Sequence, residues 1–280
     1  MIEFPFVPDE IIAYKQEQVA RLQAVTPLPG LRALAKMQAR PQDLSSHLLE
    51  NRVALLARVM NPAVDLGQSA AGAAPYDPVA LARRLARHGA QALVVATDER
   101  YHAGAIEHLT LVANAVNVPV IRYDFIIDEY QVVETRAAGG DGLFLTPALL
   151  PPEQVRRLLS ITQRNLMTAI VCVHSEAELR AILPFEPRVI AINNYNPLTD
   201  RVDLSLTPRL VEMVPGHVTL LTMGGLESPR DVGQVMAGVD GVLVGPAMLL
   251  IADWAAELWE MLKTPGPGPV PPESEPPRQI

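Results

Sequence analysis

The chain has 280 residues, 49% hydrophobic and 19% charged, enough to bury one sizeable core without requiring a second domain. A formal net charge of −8 argues against nucleic acid or an anionic membrane surface as partner, since both bind mainly through an excess of Lys and Arg. The single cysteine, Cys172, excludes an intrachain disulfide and a cysteine-based zinc cluster, and it makes a reducing, cytoplasmic setting the expectation.

The chain opens MIEFPFVPDE, with neither a basic n-region nor an apolar h-region. No run approaches the ~18 apolar residues of a membrane span, so neither secretion nor insertion is expected. Two amphipathic stretches, roughly Pro8–Val25 and Leu28–Ala39, come first and set residues 1–50 apart as an N-terminal helical extension. Short runs rich in Val, Ile and Leu follow near Val53–Val59, Gln91–Thr97, Val118–Tyr123, Gly142–Thr146, Thr168–Val173, Val189–Asn193, Val218–Met223 and Gly241–Gly245. They lack polar alternation, the pattern of strands buried on both faces of a parallel sheet. Eight such strands alternating with helices predict a (β/α)8 TIM barrel over residues 51–263. The helices carry start signals: Asp77-Pro78, Pro151-Pro152-Glu153, Ser175 with Glu178 three residues on, and Ser228-Pro229. Gly67–Pro75, GQSAAGAAP, has the composition of a flexible loop and follows the first strand, where an active-site loop would sit. Residues 264–280 hold seven prolines without apolar periodicity and are expected to be disordered or polyproline-like, with a proline-recognising partner as an alternative.

Pro119–Leu145, PVIRYDFIIDEYQVVETRAAGGDGLFL, resembles the third strand-helix-strand unit of the indole-3-glycerol phosphate synthase family, and the N-terminal extension extends the resemblance over nearly the whole chain. The resemblance implies closure of an indole ring, in tryptophan biosynthesis, on a substrate with an anthranilate carboxylate at one end and a phosphate at the other. That reaction calls for a general acid, cations on the departing carboxylate and a carboxylate base. It implies no cofactor and no metal.

Tyr123 stands where the family has the general-acid lysine of its K-D-F-I-I-D signature, and Asp124-Phe125 match it. The first strand, in register on Pro62, has Leu56 for a glutamate, Arg58 for a lysine and Asn61 for a serine. Arginine clamps a carboxylate well but, with a pKa above ~12, donates protons poorly. On the fifth strand Cys172 replaces the expected glutamate base; this reads mainly as a small buried thiol, since a thiol needs a nearby cation to act as a base. His174 stands where histidine is common in the family and signals no new chemistry. On the sixth strand Asn193 is retained and Tyr195 replaces an anchoring arginine, offering an aromatic face without charge. Met223 on the seventh strand replaces a third glutamate. Gly224-Gly225 and Gly245 keep the backbone donors of a phosphate cradle, weakened by Pro246, which lacks an amide hydrogen. Thr97-Asp98 match the family and are read, like Asp124, as structural.

The leading reading is a catalytically impaired pseudoenzyme that binds a phosphorylated or aromatic acid, or regulates a partner. The alternatives are an active synthase rewired around Arg58, Tyr123 and Asn193, and a different enzyme on the same scaffold using Asp98, Asp124 or His174 as acid-base groups.

Overall fold

The computed structural model describes residues 7–48, 53–66, 75–197 and 199–263. The expected loop at Gly67–Pro75, apart from Pro75, and the proline-rich tail lie outside them. Eight parallel strands close a barrel: β1 Ala54–Val59, β2 Ala92–Ala96, β3 Val120–Tyr123, β4 Gly142–Leu145, β5 Thr168–Val173, β6 Val189–Asn193, β7 Thr219–Met223 and β8 Gly241–Val244. Each strand pairs with its sequence neighbours, and Ala54 opposite Gly241 seals β1 to β8. This is the TIM barrel that the strand pattern predicts. A small hairpin, Tyr195–Asn196 with Arg201–Val202, rises from the end of β6.

In chain order the helices are α1 Pro8–Val25, α2 Leu28–Met37, α3 Leu44–His47, α4 Pro62–Asp65, α5 Pro78–Arg87, α6 Glu99–His102, α7 Ile106–Ala113 and α8 Glu129–Ala137. There follow α9 Pro152–Arg164, α10 Glu176–Ile182, α11 Leu206–Leu210, α12 Pro229–Val235, α13 Pro246–Leu250 and α14 Ala252–Lys263. Three of the start signals act as side-chain caps: Asp77 accepts from the amides of Val79 and Ala80, Ser175 from Glu178, and Ser228 forms a reciprocal box with Asp231, whereas α9 opens on Pro152 with no side-chain cap.

Alternate strand residues face two different cores. Leu56, Val94, Ile121, Phe144, Ile170 and Leu221 fill the barrel interior, whereas Leu55, Leu93, Leu143, Val171, Ile190 and Val242 pack under the helices. Both sets are buried, which is why the strands read as continuous apolar runs. Leu44 of α3 joins the interior cluster, and the amide of Gln42 donates to Asp141 at the head of β4, so α3 plugs the N-terminal end.

At the opposite end lies α1. Its buried residues Ile11, Lys15 and Val19 recur every four positions and so share one face. Tyr130 of α8 donates to the Leu22 and Thr26 carbonyls and ties the end of α1 down. The last helix closes the outer layer onto α5: Trp259 Nε1 donates to the His88 carbonyl at 2.6 Å. Gly89 leaves room for that indole, because a Cβ there would stand 1.9 Å from the ring, and its φ of +88° suits glycine. Among the described residues no helix is long and apolar enough to cross a membrane.

Candidate functional site

The C-terminal ends of the strands surround a cavity of about 610 Å³. Its wall includes Arg58, Tyr123, Cys172, Asn193, Tyr195 and Met223, each from a position the family register brings to the barrel mouth, together with Gly224, Gly225 and Gly245. Ile11 of α1 also reaches it, so the N-terminal helix forms part of the site. Asn61 is different: it is buried and its Oδ1 caps α4 by accepting from the Ala63 amide, and it is not among the cavity-lining residues. The Asn-Pro dipeptide explains this, since Asn is a strong cap and Pro62 opens the helix.

Three buried charges hold the mouth in shape. Lys15 Nζ lies 2.6 Å from both Asp98 Oδ2 and Asp124 Oδ1, all three side chains essentially without solvent exposure. Asp98 caps α6 through the Tyr101 amide, and Asp124 accepts from Thr97 Oγ1 at 2.6 Å and from Arg122 at 2.8 Å. Arg122 continues to Glu134 on α8 at 2.8 Å. Burial opposes charge on Asp124, but Arg122 and Lys15 outweigh it and hold its carboxyl well below the usual carboxylate range. Asp98 and Asp124 are thus both engaged in buried ion pairs, and Asp98 in a helix cap as well.

Arg58 bonds Asp65 of α4 at 2.8 Å. The same carboxylate lies on the backbone of Gly245, where a Cβ would meet it at 2.4 Å. An anion approaching Gly245 therefore meets the negative charge of Asp65 close by. Gly224 and Gly225 have φ of +76° and +67°; a Cβ would meet Asn193 Oδ1 at the first and Val202 of the hairpin at the second. These glycines permit a tight turn under the hairpin as well as exposing amides.

Aromatic rings make up one wall. Tyr123 meets Phe144 edge-on with centroids 5.3 Å apart, and His102 stacks on Phe125 at 5.6 Å while meeting Tyr123 at 5.2 Å. Burial pushes Tyr123 up to about 12, so its hydroxyl stays protonated and is a weaker acid than a lysine ammonium. Tyr195 is also pushed up to about 12, by burial and by Asp200, to which its hydroxyl donates at 3.0 Å. Burial lowers His102 and keeps its ring neutral near pH 7; its Nδ1 is buried without a hydrogen-bond partner among the described residues. Sequence reasoning missed His102, although its place in the TDERYH run just after β2 marks it as a mouth residue.

Cys172 and His174 leave β5 on the same side, Sγ to Nε2 3.9 Å. The other ring nitrogen, Nδ1, is 3.2 Å from Glu178 Oε2. His174 stands beside Cys172 as a cation: burial opposes its charge, but Cys172 and Glu178 outweigh burial and hold it up to about 10.

Comparison with known proteins agrees with this architecture. The sequence model of indole-3-glycerol phosphate synthase matches residues 8–261. Proteins of that name are similar throughout: one from Kineococcus radiotolerans is 36% identical over 249 residues, 87% of this chain and 90% of its own. One from Roseiflexus sp. is 33% identical over 263 residues, covering 90% and 97%, and one from Dehalococcoides mccartyi strain CBDB1 is 34% identical over 226 residues, covering 79% and 86%. A solved thiamine phosphate pyrophosphorylase from Pyrococcus furiosus superposes with a TM-score of 0.57 at 18% identity, over 76% of this chain and 96% of its own, a likeness of fold alone.

Proposed function

We propose, from the premise that this chain belongs to the indole-3-glycerol phosphate synthase family, that it binds an aromatic or phosphorylated acid in the barrel mouth without closing an indole ring. One observation carries this reading. Where the resemblance calls for acid-base groups, the cavity wall offers Arg58, Tyr123, Cys172 and Met223, and the deep carboxylates Asp65 and Asp124 are held in ion pairs. Loss of one acid or base typically costs ~10²–10⁴ in rate, and the family reaction needs several.

The remaining groups suit binding. The rings of His102, Tyr123 and Phe125 provide faces for an aromatic acid, and the orphaned His102 Nδ1 provides a hydrogen-bonding partner. Arg58 takes the acid's carboxylate in exchange for Asp65. A phosphate end would use the amides at Gly224, Gly225 and Gly245, again at the expense of Asp65. In this reading α1, whose Ile11 reaches the cavity, covers the mouth of the barrel of residues 51–263, and the chain works in the cytoplasm on a small ligand.

The test is to incubate the protein with carboxyphenylamino-deoxyribulose phosphate, following indole fluorescence, and to titrate the same compound by calorimetry. Binding without product above the no-enzyme background is expected, weakened in Arg58→Met. Turnover would overturn the reading in favour of a synthase rewired around Arg58, Tyr123 and Asn193, which share the cavity as that alternative requires.

A further inference from the structure

We propose that Cys172, His174 and Glu178 form a nucleophilic site that takes α,β-unsaturated carbonyl compounds, Cys172 Sγ being the atom that bonds to carbon. This goes beyond acid binding in the same cavity and holds whether or not a phosphorylated acid is the ligand.

The geometry has the three relations that thiol nucleophiles require: nucleophile against base, base against an orienting carboxylate, and an opening for the reacting atom. Sγ is 3.9 Å from His174 Nε2, and His174 Nδ1 is 3.2 Å from Glu178 Oε2. Glu178 is itself fixed, because Oε2 also accepts from the His174 amide at 3.1 Å and Oε1 from Ser175 Oγ at 3.2 Å. The ring is therefore held with Nε2 toward sulfur. Cys172 and His174 both line the cavity, next to Tyr123, Met223 and Leu243, a carbon-rich wall suited to a conjugated apolar body.

Other groups around the pair leave it intact. Tyr123 faces it from β3, protonated through burial, with Arg58 of β1 beyond. Glu178 comes from α10, while the adjoining strands β4 and β6 offer Phe144 and the neutral Asn193. His174, held up to about 10, is cationic over the neutral range, and Glu178 is held down by that same imidazole despite burial. A histidine cation in contact with a cysteine is the setting in which the sulfur acts as a nucleophile, and the 3.9 Å contact provides it.

The step balances without a co-reactant. The sulfur lone pair forms the S–C bond at the β-carbon, the C=C π pair moves to give the enolate, and the enolate carbon takes the proton from His174 Nε2. A thioether and a neutral imidazole result.

N-ethylmaleimide, itself such a compound, is the probe. Intact mass reads the site directly, since Cys172 is the only cysteine. An isolated thiol with a pKa near ~8.5 should gain roughly 75-fold in rate between pH 6 and 8. The folded protein is expected to change less than ~3-fold over that range, because the His174 ring, oriented by Glu178, stands 3.9 Å from Sγ. Glu178→Gln and His174→Gln should restore the steep profile and slow labelling at pH 6 by ~10-fold or more, with binding of inorganic phosphate unchanged. A steep profile in the parent protein, or labelling only after denaturation, overturns the proposal even if neither variant folds.

Discussion

Replacing Lys15 with Met tests whether the buried charge cluster holds α1 on the barrel. At 2.6 Å and an effective dielectric near ~20, each of its two contacts is worth ~6 kcal/mol of gross attraction. Desolvation of the three ions, several kcal/mol apiece, offsets most of that. In Lys15→Met, Asp124 keeps Arg122 and Thr97, whereas Asp98 keeps mainly the Tyr101 amide. Leaving that charge buried should cost ~3–5 kcal/mol, or roughly 10 °C in Tm for a chain of this length. Adding Asp98→Asn should recover part of the loss. Asp124 is depressed in the folded state, so its contribution is complete above the unfolded value near ~4 and is lost as pH falls. Lys15 is raised, because Asp124 and Asp98 outweigh the burial that opposes its charge, so its contribution is complete below ~10.5 and is lost as pH rises further. The deficit of the variant should therefore hold through neutral pH and shrink on either side. Thermal melts across pH, with hydrogen exchange on α1 to detect its release, provide the measurement. A cost below ~1 kcal/mol, or a deficit that grows on acidification, refutes the argument.

Three further outcomes are expected. Asp65→Asn should tighten the binding of anthranilate or inorganic phosphate about 10-fold in calorimetry, since it frees Arg58 and removes a like charge from Gly245; unchanged or weaker binding of both counts against the exchange. Gly104→Ala should cost ~3 kcal/mol in chemical denaturation, because its Cβ would fall 2.4 Å from the Ala96 carbonyl oxygen and 2.8 Å from the Thr97 nitrogen, and backbone cannot yield cheaply; a change under ~1 kcal/mol speaks against so tight a packing. Tyr123→Lys alone should give no indole from carboxyphenylamino-deoxyribulose phosphate, since Cys172 and Met223 still stand at the glutamate positions; any gain in turnover would show that the lysine alone was limiting.

The barrel was readable because its strands bury both faces: Leu55 and Leu56 point to different cores yet are equally apolar, so the run announces itself. The caps were readable because Asp77, Ser175 and Ser228 act within three residues of themselves. The family register brought Arg58, Tyr123, Cys172 and Met223 to one cavity. Interactions between distant residues were not readable. Lys15 meets two aspartates far along the chain, and nothing in an amphipathic helix marks one lysine as buried. Asp65 covers Gly245 through a short helix that composition does not announce. Asn61 stays out of the cavity wall because a serine-like position in the register also follows a rule of local capping.

The chain has two tryptophans, and they stand in unlike places. Trp254 borders the cavity, whereas Trp259 clasps the end of α5 at a sequence distance of 171 residues. The native chain thus carries a pair of intrinsic fluorophores with separate duties. Emission from Trp254, isolated in Trp259→Phe, tracks ligand entry. Emission from Trp259, isolated in Trp254→Phe, reports on the outer ring, where the indole joins residues 171 apart in sequence.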